Sequence, residues 1–301
     1  LSDEHLSRSA RIKVYFAVAG YYISIGDNER SFIYNQRLVD LLESLPYRNS
    51  EVQRHYVNAL FNLCLDFAAL QKPEDADRIL RKIKKLKDLD ENNKLTISCF
   101  LYYYNGSSLM LKGDFKNAAH LADELTGFIS KNDHRIDSAT KLTLHYICAF
   151  FYFGDLQFSK TIERTNKISN LMRTDRRMDL LLAARVLNIL AHIEKENYDV
   201  AAYLGKSFHR LFSKNKKSYK IEKALIKFIH KRLYPLYVKL PAPSKAISAL
   251  FRELKPEIEK LLQDPFERTL LKYIDISSWL DSKIENQPYN EIIRKKAMSA
   301  K

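Results

Sequence analysis

Short polar breaks divide the 301-residue chain into long apolar stretches at nearly equal intervals. Five of these breaks align, at Gly26, Gln71, Gly113, Gly154 and Glu196. Their spacings are 45, 42, 41 and 42 residues, and a period near 42 residues accommodates one pair of helices per repeat. The spacing therefore predicts an all-α fold, a right-handed α-solenoid of antiparallel helix pairs, with five pairs in residues 1–212.

Glycine is scarce, at 7 of 301 residues, against a usual share of about 7%. Hairpin turns and phosphate-binding loops both depend on glycine, so the composition argues against strand-rich folds and nucleotide-binding loops. Apolar residues make up 46% and charged residues 29% of the chain, which is enough for a large core beneath a hydrated surface. We therefore expect a folded chain.

Capping signals support helix boundaries at several breaks. Pro73 precedes two acids and suits a first helical position, where its missing N–H costs nothing. Ser50 begins a capping-box pattern that ends at Gln53, which predicts Ser50 as an N-cap. Asp264 and Pro265 open a later helix in the same way.

Beyond residue 212 the repeat loses its phase. Apolar periodicity predicts four further helices, near residues 218–238, 244–263, 265–284 and 288–298. Pro241 and Pro243 separate the first two. Because terminal units of solenoids must cover the end of the core, we interpret residues 213–301 as a helical C-terminal cap that is basic at its start. A separate small helical module is the alternative.

One segment contains a recurring pattern of large and small residues. It has a large residue at Tyr102, a small one at Gly106, a Gly-Asp-aromatic turn at Gly113-Asp114-Phe115 and a second small residue at Ala118. This segment resembles a tetratricopeptide repeat (TPR). Other units match in part, and Gly26-Asp27 and Gly154-Asp155 keep the turn. The resemblance covers roughly residues 10–212, and the period exceeds the usual 34 residues. It implies a divergent TPR-like protein of bacterial type, with longer helices, that acts as a scaffold for peptides or proteins.

Catalytic and metal-binding motifs are absent from the sequence. It contains no HExxH, HxH or paired-cysteine zinc pattern, and no GxSxG, Walker or GxGxxG loop. His145 and Cys148 lie three residues apart, but such a pair lacks the third group that orients a catalytic base. Cys64, Cys99 and Cys148 have apolar neighbours and are interpreted as core residues in a reducing compartment. We expect no enzyme activity, no cofactor and no metal site.

The resemblance also indicates which residues of the first helix in each repeat face the inner surface. Eight of them are candidate contacts for a partner: Asn58, Asn62, Tyr103, Met110, Lys141, Leu144, His145 and Phe151. Most inner positions are apolar, which leaves two interpretations. Either these helices pack on one another or on the C-terminal helices, or they line a groove for a partner helix or an extended peptide. In a groove, Asn58, Lys141 and His145 should lie nearest to solvent.

Positive charge is concentrated in one segment. The chain has a net charge of +14, and residues 206–232 contain ten Lys or Arg against Glu222 alone. The candidate basic patch comprises Arg210, Lys214, Lys216, Lys217, Lys220, Lys223, Lys227 and Lys231. Helical spacing aligns the last four beside an apolar face formed by Ile221, Leu225, Phe228 and Ile229. The segment is either a solvated amphipathic helix or a surface for an acidic protein segment, nucleic acid or anionic lipid.

No segment of the sequence has the pattern of a membrane span or a secretory signal. Residues 1–10 lack an apolar core, and the longest uncharged stretch, Leu95–Leu111, has a polar centre. We expect a cytoplasmic protein, and its first residue, Leu1, indicates a processed chain or a piece of a longer one. Together these patterns predict a non-catalytic scaffold or adaptor that binds a protein or peptide, acidic segments included. Nucleic-acid binding through residues 206–232 is the alternative.

Overall fold

The computed structural model describes residues 5–45, 49–171, 177–204, 220–239 and 244–299, and these contain helices and short connections but no β-strand. The helices of the repeats are α1 (Arg8–Ile25), α2 (Asn28–Glu43), α3 (Ser50–Ala69), α4 (Pro73–Lys84), α5 (Glu91–Leu111), α6 (Phe115–Lys131), α7 (Ser138–Gly154), α8 (Phe158–Leu171), α9 (Met178–Glu194) and α10, described over 198–204. They follow one another as antiparallel pairs. The predicted all-α fold of the α-solenoid class is confirmed.

All five pairs reverse direction through the same backbone motif. In each, one residue in the left-handed conformation donates its N–H to the carbonyl three residues earlier, and the next N–H bonds to the carbonyl five residues earlier, at 2.8–3.2 Å. This is the Schellman motif, which satisfies the last carbonyls of a helix. The left-handed residues are Gly26, Gln71, Gly113, Leu156 and Glu196. The fourth break was predicted at Gly154, but Gly154 is the last residue of α7 and the reversal occurs two residues later.

Gly106 and Gly154 lie where helices approach closely. A Cβ built at Gly106 would lie 2.0 Å from Cε2 of Phe151. A Cβ at Gly154 would lie 2.6 Å from Cε of Met110 and 2.7 Å from Cδ1 of Phe115. Both positions therefore require the smallest residue because of packing, not because of a turn.

The helix starts follow the capping signals with one exception. Pro73 is the first residue of α4, and Asp264 caps the helix that begins at Pro265. For α3, the N-cap is Asn49, whose side-chain oxygen accepts the N–H of Val52 at 2.9 Å. The prediction of Ser50 as N-cap is wrong by one residue, since the asparagine before it makes the capping bond.

The helices divide into two compact units that meet in the sequence within α5, between Leu101 and Tyr102. In the first unit, an apolar core surrounds a polar contact between α2 and α3. Buried Asp66 accepts hydrogen bonds from Ser31 Oγ at 2.7 Å and Asn35 Nδ2 at 2.6 Å. Burial raises the pKa of Asp66, although both donors oppose this shift.

The second unit continues through the C-terminal helices, which are α11 (Lys220–Phe228), a π-helical turn (Ile229–Leu233), α12 (Tyr234–Lys239), α13 (Ser244–Leu261), α14 (Pro265–Arg268), a 3₁₀ turn (Thr269–Lys272), α15 (Ile276–Glu285) and α16 (Tyr289–Ser299). Their buried side chains form one hydrophobic core with those of α7 and α9. Trp279 of α15 lies fully inside this core. The division at residue 212 and the role of residues 213–301 as a cap stay predictions.

Two of the predicted C-terminal helices contain local irregularities. The helix near 218–238 includes the π-turn, which ends at Leu233, two residues before Pro235. Proline cannot donate to the carbonyl four residues earlier, and this explains a local change in hydrogen bonding. The continuous helix predicted over 265–284 is wrong. Asp275 caps a new helix by accepting the N–H of Ser278 at 3.0 Å, so the chain forms α14, a 3₁₀ turn and α15 instead.

Replacing Gln71 by glycine should raise the free energy of unfolding by about 0.5–1 kcal/mol, because glycine lacks the Cβ that disfavours the left-handed conformation. Gln71 is exposed, so little packing is lost. The matched control is Gly26→Ala, where a Cβ would meet no atom within 4 Å. We expect a loss of about 1 kcal/mol there from the backbone alone. Urea unfolding measures both, and unchanged midpoints would contradict the shared motif.

Gly106→Ala should lower the free energy of unfolding by about 1–3 kcal/mol, because the new methyl group must displace the Phe151 ring. Gly127→Ala in α6 provides the control, since a Cβ at Gly127 would meet no atom within 4 Å. There, better helix propensity should add up to about 1 kcal/mol. The midpoints of chemical denaturation of the two variants should shift in opposite directions relative to the original chain. A stabilised Gly106→Ala would show that this helix contact is misplaced.

Candidate functional site

The inner-surface candidates differ widely in their access to solvent. On α3 in the first unit, Asn58 and Asn62 are half-buried. In the second unit, Met110, Leu144 and Phe151 are 5%, 2% and 1% exposed. These three residues pack inside their own unit, so a partner could not reach them without repacking the core.

The polar candidates of the second unit also differ in their exposure to solvent. Tyr103 and Lys141 are half-buried, and Lys141 Nζ lies 2.8 Å from Asp133 Oδ1. His145, expected near solvent, is only 6% exposed. It points into the unit because the helices α6 and α8 cover both sides of α7, an arrangement that the spacing along one helix does not reveal.

The environment of His145 and Cys148 opposes nucleophilic catalysis. Burial, then the nearby charges of Arg164 and Lys167, lower the pKa of His145 to about 4. Burial raises the pKa of the Cys148 thiol to about 12. A reactive cysteine needs the opposite shift, since the thiolate is the nucleophile. Cys64 and Cys99 are also buried and form no disulfide bond, which confirms the three cysteines as core residues.

The basic helix α11 divides its two faces as its sequence pattern predicts. The apolar residues are buried, and the aligned lysines are exposed: Lys220, Lys223, Lys227 and Lys231. Lys220 Nζ lies 2.7 Å from Asp264 Oδ2. Among the described residues, the other three have no carboxylate within 4.0 Å. The remaining patch candidates lie outside the described residues, namely Arg210, Lys214, Lys216 and Lys217.

Glu222, the acid within this basic segment, does not share the lysine face. Its side chain is 1% exposed and forms an ion pair with Arg185 of α9, which is 2% exposed. Burial raises the pKa of Glu222 and lowers that of Arg185, and each partner's charge opposes the shift of the other. The negative charge of Glu222 therefore lies inside the unit, and the charged side chains on the outward face of α11 are all positive.

A cavity that the sequence did not predict lies in the second unit, with a volume of about 370 Å³. It is half open to solvent and is lined by the turn after α7, the end of α9, the starts of α8 and α10, and the helices α13 and α15. Three of its lining residues are left-handed turn residues, Leu156, Glu196 and Asn286. The cavity thus lies beside the reversals of two helix pairs.

The cavity wall combines apolar side chains with a small polar group. Its larger apolar members are Leu156, Phe158, Ile193, Ile247 and Phe251. Its charged members are Glu194, Glu196 and Lys283. Glu194 accepts from Trp279 Nε1 at 2.7 Å and Lys283 Nζ at 2.6 Å, so both of its oxygens are engaged. An adjoining depression, which shares Ser248 and Asn286 with the cavity, is basic and includes Lys245 and Arg252.

The signal for this cavity in the sequence is weak. The motif Glu194-Lys195-Glu196 places two acids at a repeat turn, but acids at turns are ordinary surface features. The opposite wall comes from residues 247–288, about 50 or more positions later in the chain. Only the packing of α13 and α15 against the two turns converts these acids into part of a concave site.

Comparison with known proteins supports the fold. No protein-family model matches the chain, and no curated protein has significant sequence similarity to it. Among solved structures, the crystal structure of the apo form of RapI is similar, with a TM-score of 0.58 over 96% of this chain and 75% of the RapI chain. RapI is a TPR-like helical repeat protein. At 12% sequence identity, the similarity shows that this chain has a helical repeat fold.

None of the helices in the described ranges combines the length and the apolar character that crossing a membrane requires. In the same part of the chain, no three His, Cys, Asp or Glu side chains are grouped so that they could hold a metal ion.

Stability should fall as the pH drops from about 6.5 to 4, because His145 has its ordinary pKa of 6.5 in the unfolded chain and a pKa of about 4 when folded. Between these values the unfolded chain binds more protons, so acid favours unfolding. The His145→Leu variant should lose about 1–3 kcal/mol less than the original chain over this range. Urea unfolding at several pH values measures this difference. Exposed His120→Leu is the control, and identical pH profiles for all three proteins would contradict the assignment.

Proposed function

We propose that this protein is a non-catalytic scaffold that binds an acidic segment of a partner protein. The observation that carries this proposal is the exposed face formed by Lys223 and Lys227 of α11 and by Lys231 of the π-turn that follows, where no carboxylate of the described residues neutralises the lysines. The helical repeat fold supports it, since repeat proteins present extended surfaces to partners.

The electrostatics of the lysine face favour an acidic ligand. Lys223 and Lys227 are four residues apart on α11, about 6 Å along the helix, and Lys231 follows four residues later in the π-turn. Like charges at this spacing repel one another by a few tenths of a kcal/mol per pair. An acidic segment would replace this repulsion by attraction, and the net charge of +14 would speed its approach.

The half-buried inner-surface residues are proposed as further contacts, each within its own unit. Asn58 and Asn62 offer amide groups on α3 in the first unit. Tyr103 and Lys141 offer a hydroxyl and an ammonium group in the second. We propose a cytoplasmic protein that works without a cofactor or metal, in which residues 213–301 cap the repeats. The shared core of α7, α9 and the C-terminal helices supports that last point.

The lysine face can be tested with a fluorescent glutamate-rich peptide of about 20 residues, followed by anisotropy at low salt. Reversing the charge at two positions, Lys223→Glu with Lys227→Glu, should weaken binding at least tenfold. The thermal melt should change little, because both side chains are exposed. The matched control is Lys84→Glu with Lys87→Glu, which changes the net charge equally at exposed positions near the end of α4. It should weaken binding less than threefold.

Two outcomes would contradict the proposal. If both double reversals weaken binding equally, the peptide responds only to net charge and the lysine face is a solubilising surface. If a duplex DNA of random sequence displaces the peptide and its own affinity falls with salt at roughly −0.9 per phosphate on a log–log scale, the nucleic-acid alternative applies. An acidic protein segment requires that the duplex compete poorly.

A further inference from the structure

The cavity beside the turns of α7 and α9 contains a deeply buried tyrosine. Tyr198 lines the cavity and is 5% exposed. Its ring is held by an edge contact with Tyr237, with ring centres 4.9 Å apart. Its hydroxyl makes no hydrogen bond to the described residues. Because this hydroxyl is not one of the fully buried, unpartnered polar atoms of the described residues, it reaches solvent in the cavity and is available to a ligand.

The cavity also contains one carboxylate that nothing in the described chain neutralises. Glu194 and Lys283 cancel each other through their ion pair. The Glu196 side chain is exposed, and its carboxylate makes no hydrogen bond or ion pair with the described residues. The lining therefore carries one net negative charge, although the chain as a whole carries +14. This local reversal of sign favours a positively charged ligand.

Tyr198 and Glu196 act on the same region of the cavity. Burial, followed by the nearby charges of Glu196 and Glu194, raises the pKa of Tyr198 to about 12. The hydroxyl therefore stays protonated and neutral at physiological pH, able both to donate and to accept. A neutral acceptor beside a carboxylate suits an ammonium group, which has three donors and no acceptor.

The remaining wall is apolar. Leu156, Phe158 and Ile193 come from the repeat side, and Ile247 and Phe251 come from α13. Burial of an apolar body against these side chains would supply most of the binding free energy, and the polar pair would set its orientation. The basic depression beyond Ser248 and Asn286 would repel an ammonium group, which places the charged end of a ligand at Glu196.

We propose that this cavity binds a small organic cation, a primary ammonium group on an apolar body, with the ammonium at Glu196 and the Tyr198 hydroxyl. The volume of about 370 Å³ is at the lower end of the range for small-molecule sites. A site of this size holds a free molecule and has little room for a polypeptide segment. This site is separate from the lysine face, so the two proposals can fail independently.

The full chain can be tested with two probes of equal shape, phenethylammonium and its neutral analogue phenethyl alcohol. Titration calorimetry or saturation-transfer NMR measures their binding. A ligand of this size should bind the cavity with a Kd of about 1 mM. The charged probe should bind at least fivefold more tightly than the alcohol. Equal affinities of the two probes would overturn the proposal. The same holds if phenethylammonium shows no binding at about 10 mM, which is about ten times the expected Kd.

Two variants locate the site within the cavity. Glu196→Gln removes the charge at nearly constant shape and should weaken phenethylammonium binding at least fivefold, while binding of the alcohol stays unchanged. Tyr198→Phe removes only the hydroxyl and should weaken the charged probe two- to threefold. Glu257→Gln, an exposed acid of α13 outside the cavity, is the control and should change nothing.

The remaining outcomes are also decisive. Undiminished binding of phenethylammonium to Glu196→Gln would overturn the site, provided that circular dichroism shows a folded variant. A blocked lysine, with both its backbone ends capped, tests a polypeptide as the source of the ammonium group. If it binds more tightly than phenethylammonium, the proposal of a free small amine is overturned.

Discussion

The fold depends on a backbone reversal that is repeated five times. Each Schellman motif ends one helix, satisfies its last carbonyls and turns the chain within three residues, so that the next helix must pack against the previous one. Three of the left-handed positions hold Gln71, Leu156 and Glu196 in place of glycine. Non-glycine residues tolerate this conformation only at a cost, and the surrounding helix packing must supply the compensation. Two of these reversals, at Leu156 and Glu196, also form part of the cavity.

The C-terminal helices are tied to the last repeats by buried polar contacts as well as by the apolar core. The ion pair of Arg185 and Glu222 joins α9 to α11, and moving either helix would leave a buried charge without its partner. The Trp279 indole and Lys283 both bind Glu194 at the end of α9. These contacts have functional consequences, because they remove the acid from the lysine face and complete the wall of the cavity.

Much of the helical architecture could be predicted, because helix periodicity and caps are local properties of the chain. The errors occur where neighbouring residues compete for one role. Asn49 caps α3 in place of Ser50, since both side chains suit an N-cap. The repeat spacing predicts a turn at Gly154, but Met110 and Phe115 pack so closely on this residue that glycine is needed within the helix. A glycine in a sequence does not reveal which of these two demands it meets.

The sequence by itself determined the all-helical class, the repeat period and the amphipathic division of α11, because each follows from residue spacing along one helix or between successive turns. Only the tertiary structure decided that His145 and Phe151 are buried, that Glu222 faces inward and that Glu196 and Tyr198 border a cavity. Burial and pKa shifts depend on which distant helix covers a given face. That information arises from packing between segments that lie far apart in the chain.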